Sequence, residues 1–153
     1  MIRQRNIDPR SDIGTVTFNA ALSALQADAA VGGVYVTDCE SVDIIECGIS
    51  GVVSGTSPTI DMSVRVGNDA LNITTFNGGT TAFFPPGTTF RLTATGSKVY
   101  RPADPLRVAA LPQTLIETTK KGLAMVLNLD FGGTTPAITG QAWFSYRVNR
   151  AQD

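Results

Sequence analysis

Strict alternation of apolar and polar residues runs through several segments of the chain and predicts β-strands. The clearest case is residues 59–66, where Ile60, Met62, Val64 and Val66 would share one face and Asp61, Ser63 and Arg65 the other. Residues 137–150 alternate in the same way. One face would carry Ala142, Phe144, Tyr146 and Val148, and the other Trp143, Ser145 and Arg147. Residues 123–131 are almost wholly apolar, which predicts a central strand.

Weaker alternation predicts further strands at residues 15–18, 34–38, 41–53 and 71–76. Residues 83–95 are interpreted as a Pro-Pro-Gly turn that leads into another strand, with Phe90, Leu92 and Ala94 on one face. In residues 41–53 the apolar positions are Val42, Ile44, Cys47, Ile49 and either Val52 or Val53. The change of phase at Ile45 and Gly48 predicts a β-bulge. Residues 97–113 hold three prolines, which cannot donate to a ladder. We expect an edge strand and an irregular crossing there.

Only residues 19–30 have a helix-forming composition. Asn19 could cap a short helix and Gly32-Gly33 would end it, while a strand followed by a loop is the alternative. With at most one short helix among eight or nine strands, the chain lacks the crossovers that parallel strands need. The predicted fold is therefore all-β, an antiparallel two-sheet β-sandwich of jelly-roll or immunoglobulin-like type, and the strand count favours the jelly roll.

The predicted domain organisation is an N-terminal arm at residues 1–13 followed by a single sandwich domain at 14–153. The arm is polar and carries Arg3, Arg5 and Arg10. It is either a solvated terminus or a segment that docks on a neighbouring subunit. We identify no secretory signal and no apolar run long enough to cross a membrane, so no membrane partner is expected.

One short phrase occurs twice. Gly55-Thr56-Ser57-Pro58 and Gly133-Thr134-Thr135-Pro136 each follow one alternating run and lead into another. Glycine reaches backbone conformations closed to other residues, and proline fixes its own φ and extends the residue before it. Both copies are therefore interpreted as hairpin turns that set strand register at corresponding corners of a pseudo-symmetric sandwich.

Charge is scarce in this chain. Charged residues make up 16% of it with a formal net charge of −1, against about 25% in ordinary soluble domains. A protein that coats nucleic acid needs a cationic face, so no direct nucleic-acid partner is expected. A surface rich in Ser, Thr and Gly tolerates contact with other proteins and favours a subunit of an assembly over a free enzyme.

Catalytic chemistry is hard to find in the sequence. The chain has no histidine, which removes the commonest general base and metal ligand. The acidic residues Asp38, Glu40, Asp43 and Glu46 could place two carboxylates on one strand face to bind calcium or act on sugar, but a solvated strand face is the simpler interpretation. We assign no catalytic, cofactor-binding or metal-binding residue, expect no cofactor, and predict that the protein is not an enzyme.

Two cysteines and a few aromatic residues complete the candidates. Cys39 and Cys47 are expected to be buried free thiols, since a disulfide would need matching strand register and an oxidising compartment. Phe83-Phe84 precedes Pro85-Pro86 and predicts an apolar loop tip that contacts another protein. Trp143 either stacks on a sugar or packs against a neighbouring subunit.

Two segments carry a resemblance to a known group. "ISGVVSGTSPTIDMSVRVGND" (49–69) and "LDFGGTTPAITGQAWFSYRV" (129–148) resemble segments of small virion structural proteins of tailed bacteriophages. The arginine-bearing arm is similar to that of capsid decoration, or cement, proteins. The resemblance covers about a third of the chain and departs from a match in the Ala-rich residues 19–30 and the Pro-rich residues 101–112. It implies a subunit, often trimeric, that clamps neighbouring capsid proteins in the virion, with no catalytic residues.

Three functions follow as hypotheses. The first is a capsid decoration protein that binds and stabilises the major capsid lattice of a phage assembled in the bacterial cytoplasm. The second is a tail, neck or fibre-base subunit. The third is a carbohydrate-binding sandwich that uses Trp143 and the carboxylates near Asp38. The predicted partner interface comprises Ile2, Arg3, Arg5, Arg10, Phe83, Phe84 and Trp143, and a homotrimer is the favoured assembly.

Overall fold

The described part of the chain is built entirely from antiparallel β-strands. A computed structural model describes residues 16–67, 90–112 and 121–150, and these contain eight strands and no helix. The strands are β1 (Val16–Leu25), β2 (Ala29–Thr37), β3 (Ser41–Gly67), β4 (Phe90–Leu92), β5 (Gly96–Tyr100), β6 (Leu106–Ala109), β7 (Leu111–Pro112) and β8 (Lys121–Asn149). The predicted strand at 71–76 lies outside the described residues.

Two very long strands organise the molecule. β3 has 27 residues and β8 has 29, and they pair along almost their whole length. The sequence predicted four separate strands here, at 41–53, 59–66, 123–131 and 137–150. The structure joins the first two into β3 and the last two into β8, so β3 and β8 are the shared centre of the fold.

Each half of the β3–β8 ladder carries its own flanking strands. β1 adds to the C-terminal half of β8, while β5 and β6 add to the N-terminal half of β3. This layer is called sheet I. β2 adds to the N-terminal half of β8, and β4 to the C-terminal half of β3, forming the layer called sheet II. The two layers are continuous through the long strands.

The two sheets face each other across one hydrophobic core. A side chain added at Gly32 of sheet II would touch the ring of Phe18 of sheet I at 3.0 Å. Phe18 and Phe144 lie 5.5 Å apart between ring centroids. A single cluster of buried apolar residues draws on both layers, including Ile44 and Ile49 from sheet I and Leu127 from sheet II. The predicted all-β antiparallel two-sheet sandwich is confirmed.

Strand faces follow the alternation closely. Ile60, Met62 and Val64 are buried with Val66 packed beside them, and Ala142, Phe144, Tyr146 and Val148 are all buried. The β3–β8 register shifts between Ile44 and Glu46, which confirms a bulge at Ile45 but not at Gly48. Val53 packs on the core, whereas Val52 is 63% exposed. Ala94 lies beyond the end of β4 and is exposed.

The helix considered for residues 19–30 is absent. These residues form the end of β1, a turn at 26–28 and the start of β2. Ala20 and Leu22 alternate into the core opposite Ala142 and Gly140 of β8. Alanine and leucine favour helices, but pairing with a long neighbouring strand outweighs this local preference, so the strand-and-loop alternative is correct.

The repeated phrase, residues 55–58 and 133–136, forms the bend at which β3 and β8 pass from one sheet to the other, here called the crease. Its interpretation as two hairpins is wrong. Both copies lie inside continuous strands, directly opposite each other, with Thr56 paired to Thr134. Between Ser54 and Thr56, β8 has one residue more than β3. Between Thr56 and Thr59, β3 has one residue more than β8. The two shifts cancel, so the strand register is the same before and after the crease. The crease is therefore two compensating β-bulges related by the local two-fold symmetry of an antiparallel pair.

Backbone conformations explain why the same residue types recur at the crease. Gly55 and Gly133 have φ of 116° and 97°, and Ser57 and Thr135 both have φ of 49°. A side chain on Gly133 would overlap the carbonyl oxygen of Ser57, and one on Gly55 would meet the carbonyl oxygen of Thr135 at 2.7 Å. Each strand needs glycine where the other strand's bulge approaches, so symmetry demands the same sequence twice.

Candidate binding face

The predicted acidic cluster lies at the N-terminal end of β3 and its preceding turn, but its carboxylates are distributed among separate cations. Asp43 is flanked in register by Arg107 of β6 and Arg147 of β8. Glu46 pairs with Arg101, whose Nε lies 2.6 Å from its Oε2. Glu40 pairs with Lys121 at 3.3 Å. Asp43, Glu46 and Glu40 thus form ion pairs within the chain, on the outer face of sheet I and at its edge.

Asp43 is the most buried of these carboxylates. Its side chain is 3% exposed and accepts hydrogen bonds from Arg107 Nε at 2.7 Å and from Arg147 Nη2 at 2.9 Å. The hydrogen bond from Arg107 is the main cause that holds the pKa of Asp43 well below its ordinary value; burial opposes it. Asp43 in turn raises the pKa of Arg107. Asp43 is therefore ionised, and both of its oxygens are occupied by its own chain.

This pairing leaves no carboxylate pair for the calcium or sugar chemistry considered above. Within the three described segments, no group of three or more Cys, Asp or Glu residues comes together as a metal site would require. Asp38 lies in the turn after β2 with φ of 52°, and its backbone carbonyl accepts from Arg150 at 3.1 Å. The arginines that fix this arrangement lie more than 50 residues from their partners along the chain, so spacing in the sequence could not indicate them.

The two cysteines are buried free thiols, as expected. Burial raises the pKa of Cys39 to about 11 and that of Cys47 to about 12. Cys47 is fully buried beneath sheet I and Cys39 is 2% exposed. High pKa values and lack of access make both thiols unreactive in the folded chain.

Trp143 lies on the outer face of sheet I, one strand away from Gly48. The two residues are direct cross-strand partners. For a Cβ placed on Gly48 the nearest atom would be Trp143 Cζ2, and the two ring atoms bonded to Cζ2 would follow at 2.5 and 2.6 Å. Such a small increase is expected for a point under the ring plane, not beyond the ring edge. One face of the indole therefore covers the bare backbone of Gly48.

The same cross-strand row extends to both edges of the sheet. Asn19 of β1 is the other neighbour of Trp143, and Val99 of β5 is the other neighbour of Gly48. Asn19 is exposed and Val99 is 49% exposed. Among the described residues no hydrogen bond involves the indole Nε1. Trp143 is partly exposed, and its N–H donor has no acceptor in the described part of the chain.

A shallow open hollow lies next to this row. It has a volume of about 520 Å³ and is lined by Ser50, Gly51, Val52, Thr95, Gly96, Ser97, Thr139, Gly140 and Gln141. Ser50 pairs with both Gln141 and Ser97, so these three side chains share the outer face with Trp143. The lining contains hydroxyls, an amide and glycine backbone but no charged residue. The combination of Trp143, Gln141, Ser50 and Ser97 is called the Trp143 platform.

Sequence reasoning found Trp143 but missed the rest of the platform. Gln141 lies two residues before Trp143, so extending the alternation of residues 137–150 by one step would have placed it on the same face. Ser50 and Ser97 join them only through pairing of β3 with β8 and β5. The other predicted interface residues, Ile2, Arg3, Arg5, Arg10, Phe83 and Phe84, lie outside the described residues. In the part of the chain that is described, no helix is long and apolar enough to span a membrane.

Comparisons with known proteins give weak likenesses. No protein-family model and no curated protein matches the chain. A solved chain described as "Structure of infectious bursal disease virus Gx strain" aligns with a TM-score of 0.44 and 13% identity, covering 99% of this chain and 37% of that one. A second, from an infectious bursal disease virus VP2 subviral particle, aligns with a TM-score of 0.26 and 10% identity, covering 96% and 46%. Likenesses of this strength assign neither a family nor an activity.

Proposed function

We propose that the chain is a structural subunit of a bacteriophage particle, and specifically a capsid decoration protein that binds and stabilises the major capsid lattice. One observation carries the proposal: the sandwich is poor in charge, and its described charges are largely used in ion pairs within the chain. The pairs are Arg65–Asp130, Arg91–Asp61, Arg101–Glu46, Arg107–Asp43, Arg147–Asp43 and Lys121–Glu40.

Internal pairing favours assembly for an energetic reason. An unpaired charge that enters a protein interface must lose its water, which is costly unless the partner supplies a counter-charge. A face whose charges already have partners and whose remaining groups are hydroxyls and small apolar side chains avoids that cost. Interface cores are likewise depleted of charged residues. The repeated phrase and the basic arm, which resemble those of phage virion proteins, add the specific context.

The lattice contacts proposed here are the arm, with Ile2, Arg3, Arg5 and Arg10, and the apolar tip at Phe83-Phe84. The arginines would pair with acidic groups on the major capsid protein, and the phenylalanines would fill an apolar pocket, as anchor residues do. A homotrimer is the favoured state, because a capsid offers three-fold positions for a symmetric subunit. The protein would then reside in the virion after assembly in the bacterial cytoplasm.

The experiment is addition of the purified chain to capsids of its own phage from which this subunit has been deleted. We expect it to sediment with the capsids at a saturable stoichiometry and to raise their thermal stability. Sedimentation velocity on the free chain should give a trimer. Failure to bind intact capsids under conditions where the major capsid lattice is complete would refute the decoration role.

A truncation tests the arm separately. Removal of residues 1–13 should abolish or strongly weaken capsid binding while the sandwich keeps its unfolding transition. The matched control replaces Arg3, Arg5 and Arg10 with lysine, which preserves charge and should preserve most binding. Unchanged binding by the truncated chain would show that the arm has no docking role.

The tail, neck or fibre-base alternative predicts a different location on the particle. Negative-stain images of virions labelled at this subunit distinguish the two. Label spread over the head supports decoration, whereas label at the tail or the neck supports the alternative.

A further inference from the structure

We infer that the Trp143 platform on the outer face of sheet I is a binding site for a neutral glycan. One sugar ring would stack on the exposed face of the Trp143 indole, and the next sugar unit would occupy the adjoining hollow beside Ser50, Ser97 and Gln141. This goes beyond the decoration role, because it gives the subunit a ligand outside the particle.

Stacking is the first support. One face of the indole covers the backbone of Gly48, and Trp143 is only partly buried, which leaves the opposite ring face as the accessible one. The C–H groups on one side of a pyranose ring form an apolar surface that matches such a face, while the sugar hydroxyls stay at the ring edge. The indole N–H, which has no acceptor among the described residues, is placed to bond one of those hydroxyls.

Hydrogen-bonding capacity is the second support. In the hollow, Thr139 Oγ1 accepts from the backbone N–H of Ala24 at 2.9 Å, and Thr95 Oγ1 bonds the backbone of Val53. Within the described residues the side chains of Ser50, Ser97 and Gln141 form no such bonds. Small-molecule sites place a few convergent polar groups beside an apolar surface in this way.

Spacing is the third support. Gln141 and Trp143 lie two residues apart on one face of β8, which corresponds to about 7 Å along a strand. This separation is comparable to the length of one sugar unit in a chain. A stacked ring on Trp143 and a hydrogen-bonded neighbour beside Gln141 are therefore compatible with one oligosaccharide.

The charge of the lining identifies the class of glycan, and its small apolar area argues against a protein partner. No charged residue lines the hollow, so no cation in it would pair with the carboxylate of an acidic sugar. Among the described residues, the large hydrophobic side chains exposed on this outer face are Val52 and Val99, beside the partly exposed Trp143 ring. Three such side chains make a small apolar core by the standard of protein interfaces, which involve about 20–30 residues a side.

The test uses the full chain, whose only tryptophan is Trp143. Its emission is recorded while β-glucan, α-glucan, xylan and mannan hexasaccharides are added one at a time, with oligogalacturonate as the acidic comparison. We expect at least one neutral hexasaccharide to shift the emission saturably and oligogalacturonate to have no effect. Calorimetry with the same oligosaccharide provides the affinity for variants without tryptophan.

Variants locate the site. Trp143→Ala should weaken binding by about tenfold or more, Trp143→Tyr should retain part of it, and Gln141→Ala should weaken it severalfold. Gln26→Ala is the matched control, since Gln26 is exposed in the turn after β1 and does not line the hollow; it should bind as the native chain does. Unfolding curves verify that each variant is folded.

Three outcomes would overturn the inference. The first is that no neutral oligosaccharide binds. The second is that binding is unaffected by both Trp143→Ala and Gln141→Ala. The third is that Trp143→Ala abolishes attachment to capsids in the absence of any sugar binding, which would make this face a protein contact. Capsid binding by the native chain is measured independently, so the decoration role can fail while the glycan site stands, and the reverse.

Discussion

Asp43 and Gly48 show how single residues on the outer face of sheet I are matched to partners one strand away. Asp43 lies between two arginines in register, and Gly48 lies under the Trp143 ring. In each case the residue type makes sense only with its cross-strand neighbour. A carboxylate at position 48 would displace the Trp143 ring, and an apolar residue at position 43 would leave Arg107 and Arg147 without their partner.

We predict that Asp43→Asn lowers the free energy of unfolding by about 1–3 kcal/mol, because two arginines lose the charge that a 3% exposed carboxylate supplies. The matched control is Asp61→Asn. Asp61 pairs with Arg91 at 2.8 Å but is 28% exposed, so its loss should cost less than about 1 kcal/mol. Urea unfolding at neutral pH measures both. Equal losses would contradict the role assigned to burial.

The same residue predicts a pH dependence. The pKa of Asp43 is lower in the folded chain than its ordinary value of 3.8, so the unfolded state binds a proton first as pH falls. The stabilisation is fully present above about pH 5 and is lost progressively as acid approaches the folded pKa. Native stability should therefore fall steeply below about pH 5, and the Asp43→Asn variant should show a shallower slope. Parallel slopes would rule Asp43 out as the source.

Gly48→Ala is predicted to disturb Trp143 directly. The added methyl group would overlap the six-membered ring of the indole, so the ring must lift from the sheet. Overpacking of this kind costs about 1–3 kcal/mol, and the tryptophan emission should move to longer wavelength as the ring gains solvent. Gly96→Ala serves for comparison of the emission. Its φ of 157° strains the backbone of any L-residue, but nothing lies within 4 Å of the added methyl group, so the emission should stay unchanged.

At the scale of elements, the crease between the sheets decides the architecture. β3 and β8 each pass from sheet I to sheet II without leaving the ladder, and the compensating bulges let both strands turn together. Four residues of the crease have positive φ and sit at equivalent positions of the two copies: Gly55 and Ser57 in one, Gly133 and Thr135 in the other. The same four-residue motif therefore occurs twice, because an antiparallel pair that bends symmetrically needs the same backbone conformation on both strands.

Two substitutions at the crease should act in opposite directions. Gly133→Ala should destabilise by about 2 kcal/mol or more, because alanine disfavours φ of 97° and its methyl group would overlap the Ser57 carbonyl. Thr135→Asn should stabilise by about 0.5–1 kcal/mol, because a β-branched residue is disfavoured at φ of 49° and asparagine tolerates it. Thermal unfolding measures both. A destabilised Thr135→Asn variant would show that the threonine side chain is needed there.

The sequence predicts the strand faces better than the strand connections. Alternation depends on a local period of two, so the inward faces around Ile60 and Phe144 and the bulge at Ile45 could all be predicted from the sequence. A Gly-x-x-Pro phrase, by contrast, is compatible both with a hairpin turn and with a bulge inside a continuous strand. Only the partner strand distinguishes them, and that partner is distant in sequence. The arginines around Asp43 and the serines of the Trp143 platform were hidden for the same reason.

At the scale of the whole molecule, sharing of β3 and β8 leaves no boundary between the layers. Residues of both sheets form one buried cluster, and the same two strands contribute to each half of it. Loss of sheet II would remove the continuation of both central strands of sheet I. We therefore expect residues 14–153 to unfold as one cooperative domain.

Leu127→Ala tests this cooperative unfolding, because Leu127 lies in sheet II while the fluorescent residue Trp143 lies in sheet I. Leu127 is fully buried in sheet II, between Gly32 of β2 and Val64 of β3, and its truncation should cost about 2–5 kcal/mol. Trp143 reports on sheet I. If the chain is one unit, the urea midpoint followed by tryptophan emission should fall together with the midpoint followed by far-ultraviolet circular dichroism. Val52→Ala, at a position 63% exposed, should move neither by more than about 0.5 kcal/mol. A tryptophan transition that stays in place while the dichroism shifts would mean that the two sheets unfold separately.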